Sequence, residues 1–273
     1  MRQRVGGLFG AALAISIALT GAAEAAARCR NTGSFERWME GFKQEAAAKG
    51  ISRQAISAAL DGVTFDPNII RRDSGQGVFQ QSFQQFAGRM TGGGRYENGV
   101  RQLKANAALL ARIEQQFGVP APVVVALWGL ESDYGAYKGG IYQIIRSVAT
   151  LAYDCRRSEF FTNELNAALM IVERGDKRPE DMKGAWAGEI GQTQFLASNY
   201  LRYAVDFDGD GRRDLIRSRA DVLASTANFL RQHGWQPGAG YMPGEPNFAR
   251  LRDWNRAGVY QQALALFASR LAN

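Results

Sequence analysis

The chain has one strong candidate for acid–base chemistry, the carboxyl group of Glu131. It closes the stretch VVVALWGL over residues 123–130, which contains no polar side chain. A polar, glycine-containing turn, SDYG, follows directly at residues 132–135. Burial disfavours the ionised form of a carboxyl and raises its pKa, and a raised pKa suits a general acid near neutral pH. The stretch therefore predicts a catalytic acid at the end of a buried helix. A helix end that only happens to be acidic is the alternative.

A second candidate site lies in DFDGDGRRD, residues 206–214, which matches the first nine positions of an EF-hand calcium loop. Carboxylates stand at positions 1, 3, 5 and 9, and a glycine stands at position 6, where the chain must turn sharply. Position 12 is Arg217 instead of a bidentate glutamate, so we expect an incomplete site of modest affinity for Ca²⁺. An acidic turn neutralised by its arginines is the alternative. The predicted ligands are Asp206, Asp208, Asp210, the backbone carbonyl of Arg212, and Asp214.

Two further stretches carry groups that recognise polar ligands. The glycine-rich stretch GAWAGEIGQTQF, residues 184–195, lets backbone approach a ligand closely, and the amides of Gln192 and Gln194 can donate and accept as sugar recognition requires. Arg156 and Arg157 can bind a carboxylate bidentately. Tight packing of the glycines and a solvated arginine pair are the alternatives.

Several other chemistries have little support in the sequence. A single histidine, His233, disfavours a Ser-His-Asp triad and a zinc protease site. No obvious second carboxylate accompanies Glu131, and Glu189 is the best alternative partner. The net charge of +7 favours an anionic partner, but the basic residues are scattered, so we expect no nucleic-acid partner.

The first 25 residues have the features of a cleaved signal peptide. Arg2 and Arg4 precede a short apolar region, and a small-x-small cleavage site follows at residues 23–25. We expect export to the periplasm, with no membrane span left after cleavage; a retained anchor is the alternative. Arg28 before Cys29 argues against a lipid anchor. In an oxidising compartment Cys29 and Cys155 are expected to form a disulfide, with two buried thiols as the alternative.

Helical spacing of apolar residues dominates the remainder of the chain, so we expect a mostly α protein. The central helix opens at Pro120 and Pro122 and carries Glu131 at its end. One long helix is expected between the glycines at 92–94 and Gly118, and irregular chain over 63–78 and 236–248. The other predicted helices cover 34–49, 52–60, 79–90, 144–153, 158–173, 194–204, 218–232 and 257–271.

Six stretches together resemble a known family in their order and spacing over residues 31–270. They are ALWGLESDYG, LAYDCRRSEFF, AGEIGQTQF, YAVDFDGDGRRDL, ANFLRQHGW and DWNRAGVY. They resemble the lytic murein transglycosylase B family, the membrane-bound lytic transglycosylase B enzymes of glycoside hydrolase family 103. The resemblance implies a mostly α, goose-type lysozyme-like fold with an extended cleft and a small EF-hand-like subdomain, forming one catalytic domain over residues 29–273.

The resemblance also implies an activity. The MurNAc–GlcNAc β-1,4 bond of peptidoglycan glycan strands would be cleaved without water, leaving a 1,6-anhydro-MurNAc end. One residue would act first as acid and then as base. A structural Ca²⁺ and a monomer are expected. A lysozyme-type hydrolase and a non-catalytic cell-wall-binding protein are the alternatives.

Residue by residue, Glu131 matches the single catalytic acid of the family, and Gln194 matches a sugar-binding glutamine. Arg156 and Arg157 match residues near the stem peptide. The remaining substrate-binding candidates are Tyr134, Asn255 and Tyr260. This sequence departs from the family pattern at three positions, with alanine in place of a serine and an apolar or indole ring in place of two cleft tyrosines. The three are Ala185, Phe229 and Trp254.

Overall fold

The computed structural model of the chain describes residues 33–75, 82–92, 94–136 and 140–273. Within these ranges the regular structure is thirteen α-helices, one 3-10 turn at Pro179–Asp181 and one short antiparallel strand pair. The strands are β1 (Tyr142–Gln143) and β2 (Lys183–Gly184), with Tyr142 opposite Gly184. The prediction of a mostly α protein is confirmed.

Helices make up most of the chain within these ranges. In chain order they are α1 (Phe35–Ala48), α2 (Arg53–Leu60), α3 (Pro67–Ser74), α4 (Phe83–Thr91), α5 (Arg95–Ala105), α6 (Ala107–Phe117), α7 (Ala121–Ser132), α8 (Ile144–Tyr153), α9 (Ser158–Glu173), α10 (Ala197–Tyr203), α11 (Arg219–Gln232), α12 (Phe248–Trp254) and α13 (Gly258–Ala272).

Short polar side chains begin many of these helices. The hydroxyls of Ser34, Ser52 and Ser218 each accept a hydrogen bond from the backbone N–H three residues later. Ser82 forms a capping box with Gln85, in which each side chain bonds the other residue's backbone N–H. Such caps satisfy N–H groups that have no partner inside the helix, so the sequence determines these starts locally.

The helix α7 forms the centre of the molecule. Every residue from Val123 to Leu130 is buried, and the helix packs against α5, α6, α11 and α13. A helix that is apolar on all sides has no face to present to water and must be surrounded by other elements. Because the apolar run ends at Leu130, Glu131 lies where the core meets the surface.

One predicted helix is two helices in the structure. The chain between residues 95 and 118 breaks at Asn106, which separates α5 from α6. The Asn106 side chain donates to the Gln102 carbonyl at 2.8 Å and accepts from Arg219 of α11 at 3.0 Å. The prediction of one long helix is therefore wrong, and Ala107, at the start of α6, is exposed.

One region predicted to be irregular, residues 63–78, contains a helix. The helix α3 begins at Pro67 behind the cap Asp66, whose side chain accepts the Asn68 N–H. The helix α12 lies in the segment that links α11 to α13, where no helix was predicted. It ends at Trp254 and brings that side chain to the end of α7.

Some predictions fall on residues outside the described ranges. The signal peptide at residues 1–25, Cys29 and Phe79 lie there, so the disulfide of Cys29 with Cys155 stays a prediction. No free cysteine is present in the part of the chain that the structure describes. Across the same part, every helix is too short or too polar to traverse a lipid bilayer.

Candidate active site

The two carboxylate oxygens of Glu131 have different surroundings. Oε1 accepts a hydrogen bond from Nε1 of Trp254 at 2.9 Å and a short one from the hydroxyl of Tyr260. Oε2 has no hydrogen-bond partner among the described residues. Because Oε1 is occupied by two donors, Oε2 is the oxygen that can hold a transferable proton.

The surroundings of Glu131 raise its pKa above that of a free carboxyl. Burial raises its pKa, hydrogen bonds from Tyr260 and Trp254 oppose the rise, and the nearby charge of Glu189 adds to it. The net direction is upward, so burial outweighs the two donors. Burial and the adjacent Glu131 raise the pKa of Tyr260 well above 10, which keeps its hydroxyl a donor. This pattern is typical of a general acid at neutral pH.

Glu131 lies in a cleft of about 280 Å³ that combines aromatic walls with a few polar groups, as ligand pockets commonly do. The ring of Trp254 packs edge-on against Phe195 at 5.6 Å and Phe229 at 4.9 Å between centroids. The lining residues are Glu131, Arg157, Phe160, Phe161, Ala187, Glu189, Gln194, Phe195, Leu196, Asn199, Phe229, Trp254 and Asn255.

The loop over residues 184–195 forms one wall of this cleft. Gly188 has φ of +94°, and a Cβ there would lie 2.2 Å from Cγ2 of Val148. A Cβ on Gly191, at φ of +75°, would lie 2.2 Å from the carbonyl oxygen of Leu215. Glycine is therefore required at both turns, for backbone conformation and for space. Gln194 itself adopts φ of +56°, and its Nε2 donates to the Gly191 carbonyl at 2.8 Å.

Four of the predicted catalytic and substrate-binding residues line the same cleft. They are Glu131, Arg157, Gln194 and Asn255. Arg156 does not line it. Both arginines form ion pairs with Asp73 of α3, which is buried and needs their charge, and the guanidinium of Arg157 also stacks on Phe161. Arg156 therefore lies outside this cleft, and its place near the stem peptide stays a prediction.

The two tyrosines among the predicted substrate-binding residues both make hydrogen bonds within the protein. Tyr134 follows α7 in a left-handed conformation, with φ of +60°, which folds its ring back against Trp128. Its hydroxyl donates to the Arg95 carbonyl at 2.8 Å and is thus engaged within the protein, and a substrate contact of Tyr134 stays a prediction. Tyr260 is buried, and its hydroxyl is engaged by Glu131, so it positions the acid.

Gln192 is also turned inward, although its amide was expected to be available for sugar. Its Oε1 accepts from Nε1 of Trp128 at 2.8 Å, and its Nε2 donates to the Ile216 carbonyl at 2.8 Å. Its backbone N–H donates to the Leu215 carbonyl at 2.9 Å. Gln192 therefore joins the central helix to the end of the acidic loop, and no local pattern in the sequence indicates this.

The acidic loop brings three of its four predicted carboxylates together. Oxygens of Asp206, Asp208 and Asp210 lie within 4.8 Å of one another. The N–H groups of Gly209 and Gly211 both donate to Asp206 at 2.8 Å, which folds the loop around its first residue. This arrangement of hard oxygen donors fits Ca²⁺.

Asp214 does not join this cluster. Its Oδ1 accepts from Lys177 at 3.2 Å and from the Ile216 N–H at 3.0 Å, so its carboxylate is already neutralised elsewhere. The predicted ligand Asp214 thus lies outside the group of converging carboxylates. The buried Asp221 of α11, which sequence reasoning missed, accepts the N–H groups of Phe207 and Asp214 at 2.8 Å each and ties the loop to the helix.

Comparison with known proteins shows that the sequence of this chain matches a family model and a curated relative. Residues 34–244 match the family model described as the transglycosylase SLT domain. Membrane-bound lytic murein transglycosylase B of Escherichia coli (strain K12) is 36% identical over 159 residues, which cover 55% of this chain and 44% of that protein. The chain therefore matches less than half the length of this curated relative.

Two solved structures are similar in fold. SltB3 from Pseudomonas aeruginosa, in complex with NAG-anhNAM-pentapeptide, is 32% identical with a TM-score of 0.82, covering 89% of this chain and 80% of that one. The Escherichia coli lytic transglycosylase Slt35, in complex with calcium, is 24% identical with a TM-score of 0.75, covering 90% and 94%. The predicted lysozyme-like helical fold and the resemblance to lytic transglycosylase B are confirmed, and the chain belongs to the transglycosylase SLT domain family.

Proposed function

We propose that this protein is a lytic transglycosylase that cleaves the MurNAc–GlcNAc β-1,4 bond of peptidoglycan glycan strands. The observation that carries the proposal is Glu131, with one oxygen fixed by two donors and the other free in an aromatic cleft. The related SltB3 was solved with NAG-anhNAM-pentapeptide and with NAG-NAM-pentapeptide, which supports this class of substrate.

The reaction needs one carboxyl in two successive roles. Protonated Glu131 donates its proton to the glycosidic oxygen, and the C1–O bond breaks to an oxocarbenium-like sugar. The 2-acetamido group assists at C1 in place of a nucleophilic carboxylate. Ionised Glu131, stabilised by Tyr260 and Trp254, then takes the proton of the C6 hydroxyl, whose oxygen attacks C1. The 1,6-anhydro ring forms, and Glu131 is again protonated.

Hydrolysis of the same bond is the second candidate function. The observation that favours it is Glu189, a second carboxyl in the same cleft, because a second carboxylate can activate water. The two reactions differ by one water in the product. A product with 1,6-anhydro ends weighs one water less than the corresponding reducing end, so its mass decides between them.

The acidic loop supports a second proposal, a structural Ca²⁺ site formed by Asp206, Asp208 and Asp210. The three carboxylates converge, and the N–H groups of Gly209 and Gly211 fold the loop around Asp206. A bound ion would relieve the repulsion among three charges in one turn. The ion would act on stability, because none of these residues lines the cleft of Glu131.

The location and assembly of the protein follow from the same proposal. Peptidoglycan lies outside the cytoplasm, so we propose export by the signal peptide at residues 1–25 and action in the periplasm. A disulfide between Cys29 and Cys155 is consistent with that oxidising compartment. We further propose that the protein acts as a monomer.

Substitution of Glu131→Gln tests the enzymatic proposal. The amide has nearly the same shape but cannot deliver a proton, so we expect muropeptide release to fall by at least ~10²-fold. Digestion of purified sacculi followed by mass spectrometry measures both the rate and the product. Anhydro ends from the wild type support transglycosylation, and reducing ends support hydrolysis. Substantial turnover by the folded variant would remove Glu131 from the acid role.

The melting temperature of Glu131→Gln is the control for folding. Burial raises the pKa of Glu131 above its unfolded value, so between these two values the native state binds more protons. The stability of the wild type therefore falls as pH rises through that window. Glutamine removes this penalty, so at neutral pH the variant should melt at or above the wild-type temperature.

A further inference from the structure

The loop over residues 184–195 borders a second cleft, of about 960 Å³, that the proposed mechanism does not use. Gln192 of this loop lines the second cleft, whereas Gln194 lines the cleft of Glu131. Most of the second cleft lies between the turn after α9, at residues 174–183, and the end of the acidic loop, at residues 211–217. Among the described residues the two clefts share no lining residue, so the second is a separate site.

The second cleft is positively charged. Seven cationic and four acidic side chains line it, which gives a net charge of +3. The four acids already have cationic partners: Asp214 pairs with Lys177, Asp176 with Arg213, and Glu180 and Asp181 with Arg178. The other four cations are exposed, and their side chains have no ion pair or hydrogen bond among the described residues. They are Arg174, Lys183, Arg212 and Arg217.

Lys177 is the cation of this cleft that the fold buries. Its side chain is 9% exposed, and its ammonium group has three N–H donors. Among the described residues one acceptor meets them, Oδ1 of Asp214 at 3.2 Å. A buried ammonium is costly unless its donors are engaged, so the remaining donors favour an anion in the cleft. A cleft lined by one sign of charge also attracts ligands of the opposite sign.

The size and the lining of the second cleft indicate the kind of anion. Ligand pockets have volumes of roughly 300–1,000 Å³, so this cleft has more room than a single inorganic ion requires. Among its described lining residues Ile216 is the one large apolar side chain, so an acyl chain would find little apolar surface there. Guanidinium groups bind carboxylates strongly and with defined geometry. These features together fit a short peptide that carries carboxylates.

We propose that the second cleft binds the carboxylate-bearing stem peptides of peptidoglycan while Glu131 cleaves the glycan. This inference rests on the proposed function, because the proposed substrate supplies the peptides. Neither Arg156 nor Arg157 lines the second cleft, so it is a separate point of attachment for the wall polymer. Binding there does not change as the glycosidic bond breaks, so it should lower KM for peptide-bearing strands and leave kcat unchanged.

A charge-neutral variant of the second cleft tests this proposal. The test variant combines Arg174→Gln, Lys183→Gln and Arg217→Gln. Arg212 is kept, because its backbone carbonyl belongs to the predicted metal loop. Both forms of the cleft also carry Glu131→Gln, so that calorimetry measures binding without turnover. The free stem pentapeptide should bind the test variant about 10- to 100-fold more weakly than the unaltered cleft. Peptide-free NAG-NAM, a probe of the first cleft, should bind both equally.

The matched control removes the same charge from other surfaces. It combines Lys49→Gln, Lys104→Gln and Arg202→Gln, which are exposed, have no side-chain partner among the described residues and line neither cleft. This variant should keep the affinity for the pentapeptide. The melting temperature of the test variant should match that of the control, because its three side chains are also exposed and unpaired.

NMR of the ¹⁵N-labelled Glu131→Gln protein locates the bound peptide. The pentapeptide should shift the amide resonances of Gly175 and Lys177, which lie in the second cleft. NAG-NAM should instead shift that of Gln194 in the first. Inorganic phosphate should not displace the peptide at equal concentration. Binding of phosphate without binding of the peptide would indicate a small-anion site and overturn the inference.

The outcomes separate this inference from the proposed function. Failure of the wild type to release muropeptides would contradict the function, while the pentapeptide titration would still judge the second cleft. An active wild type with equal peptide affinity in the test and control variants would overturn the inference and leave the function standing. Peptide shifts confined to the first cleft would also overturn it. Should the test variant not fold, Lys183→Gln alone decides: a fall in peptide affinity of about 2- to 5-fold supports the inference, and unchanged affinity overturns it.

Discussion

At the residue scale, the hydrogen bonds that position Glu131 suit both halves of the proposed reaction. Trp254 and Tyr260 occupy Oε1 and leave Oε2 for the proton. The same donors stabilise the ionised carboxylate that must later act as base. Trp254 stands where the family resemblance implies a tyrosine, and its indole N–H donates to Glu131 at 2.9 Å.

Tyr260→Phe should shift the pH dependence of kcat/KM toward higher pH. Loss of the hydroxyl removes a bond that lowers the pKa of Glu131, so the alkaline limb of kcat/KM should move up. A shift of roughly one pH unit is expected, because a hydrogen bond to a charged group is worth about 1.5–3 kcal/mol and one unit corresponds to about 1.4 kcal/mol.

The control for this change is Tyr241→Phe. The ring of Tyr241 stacks on Trp235, and the residue does not line the cleft, so the pH profile of this variant should match the wild type. An alkaline limb that stays fixed, or moves down, in Tyr260→Phe would contradict the assigned role of that hydroxyl.

At the scale of elements, Gln192 is the point where three segments meet. It lies on the loop of the cleft wall, bonds Trp128 of α7 through one end of its amide, and bonds Ile216 after the acidic loop through the other. A buried amide that satisfies a donor and an acceptor on different elements fixes their relative position. The same loop carries Glu189 and Gln194, so the cleft wall is aligned to the helix that carries Glu131.

Gln192→Leu should destabilise the protein by about 2–4 kcal/mol. Leucine is similar in volume but leaves the Trp128 N–H and the Ile216 carbonyl without partners, each worth about 1–3 kcal/mol when buried. Urea unfolding of both proteins measures the difference. Gln232→Leu, at the exposed end of α11, is the control and should change stability by less than about 0.5 kcal/mol. Equal effects of the two substitutions would show that the hydrogen bonds of Gln192 to Trp128 and Ile216 contribute little to stability.

At the scale of the whole molecule, a continuous series of hydrogen bonds connects the acidic loop to α7, the helix that carries Glu131. The loop leads to the carbonyls of Leu215 and Ile216, these bond Gln192, and Gln192 bonds Trp128, three residues before Glu131. Asp221 ties the other side of the loop to α11. Order in the loop should therefore support the position of the acid without the ion touching the substrate.

Calcium should raise the melting temperature, because an ion that binds only the native state stabilises it. At a free concentration one hundred times the dissociation constant, the gain is ~2.7 kcal/mol. Melting in Ca²⁺ and in chelator measures the effect. Asp208→Ala should reduce the rise. Asp214→Ala should retain it, because Asp214 pairs with Lys177 outside the cluster. Identical melting curves of the wild type in Ca²⁺ and in chelator would exclude the site.

The sequence alone determined the features that arise from neighbours in the chain. The unbroken apolar run predicts a buried α7 with Glu131 at its end, because a helix with no polar face must lie in the core. Serine caps predict several helix starts, because a cap bonds a backbone N–H only three residues away. The spacing of the carboxylates in residues 206–210 predicts their convergence, since a tight turn brings alternate residues together.

Only the tertiary structure decided how these parts meet. Trp254 and Tyr260 are 123 and 129 residues from Glu131, and the choice of Oε1 as their common acceptor depends on how α12 and α13 pack. The break at Asn106 is supported by Arg219, 113 residues away, and the inward turn of Gln192 depends on Trp128 and Ile216. Such contacts satisfy polar groups across elements distant in the chain, so no local pattern of residues specifies them.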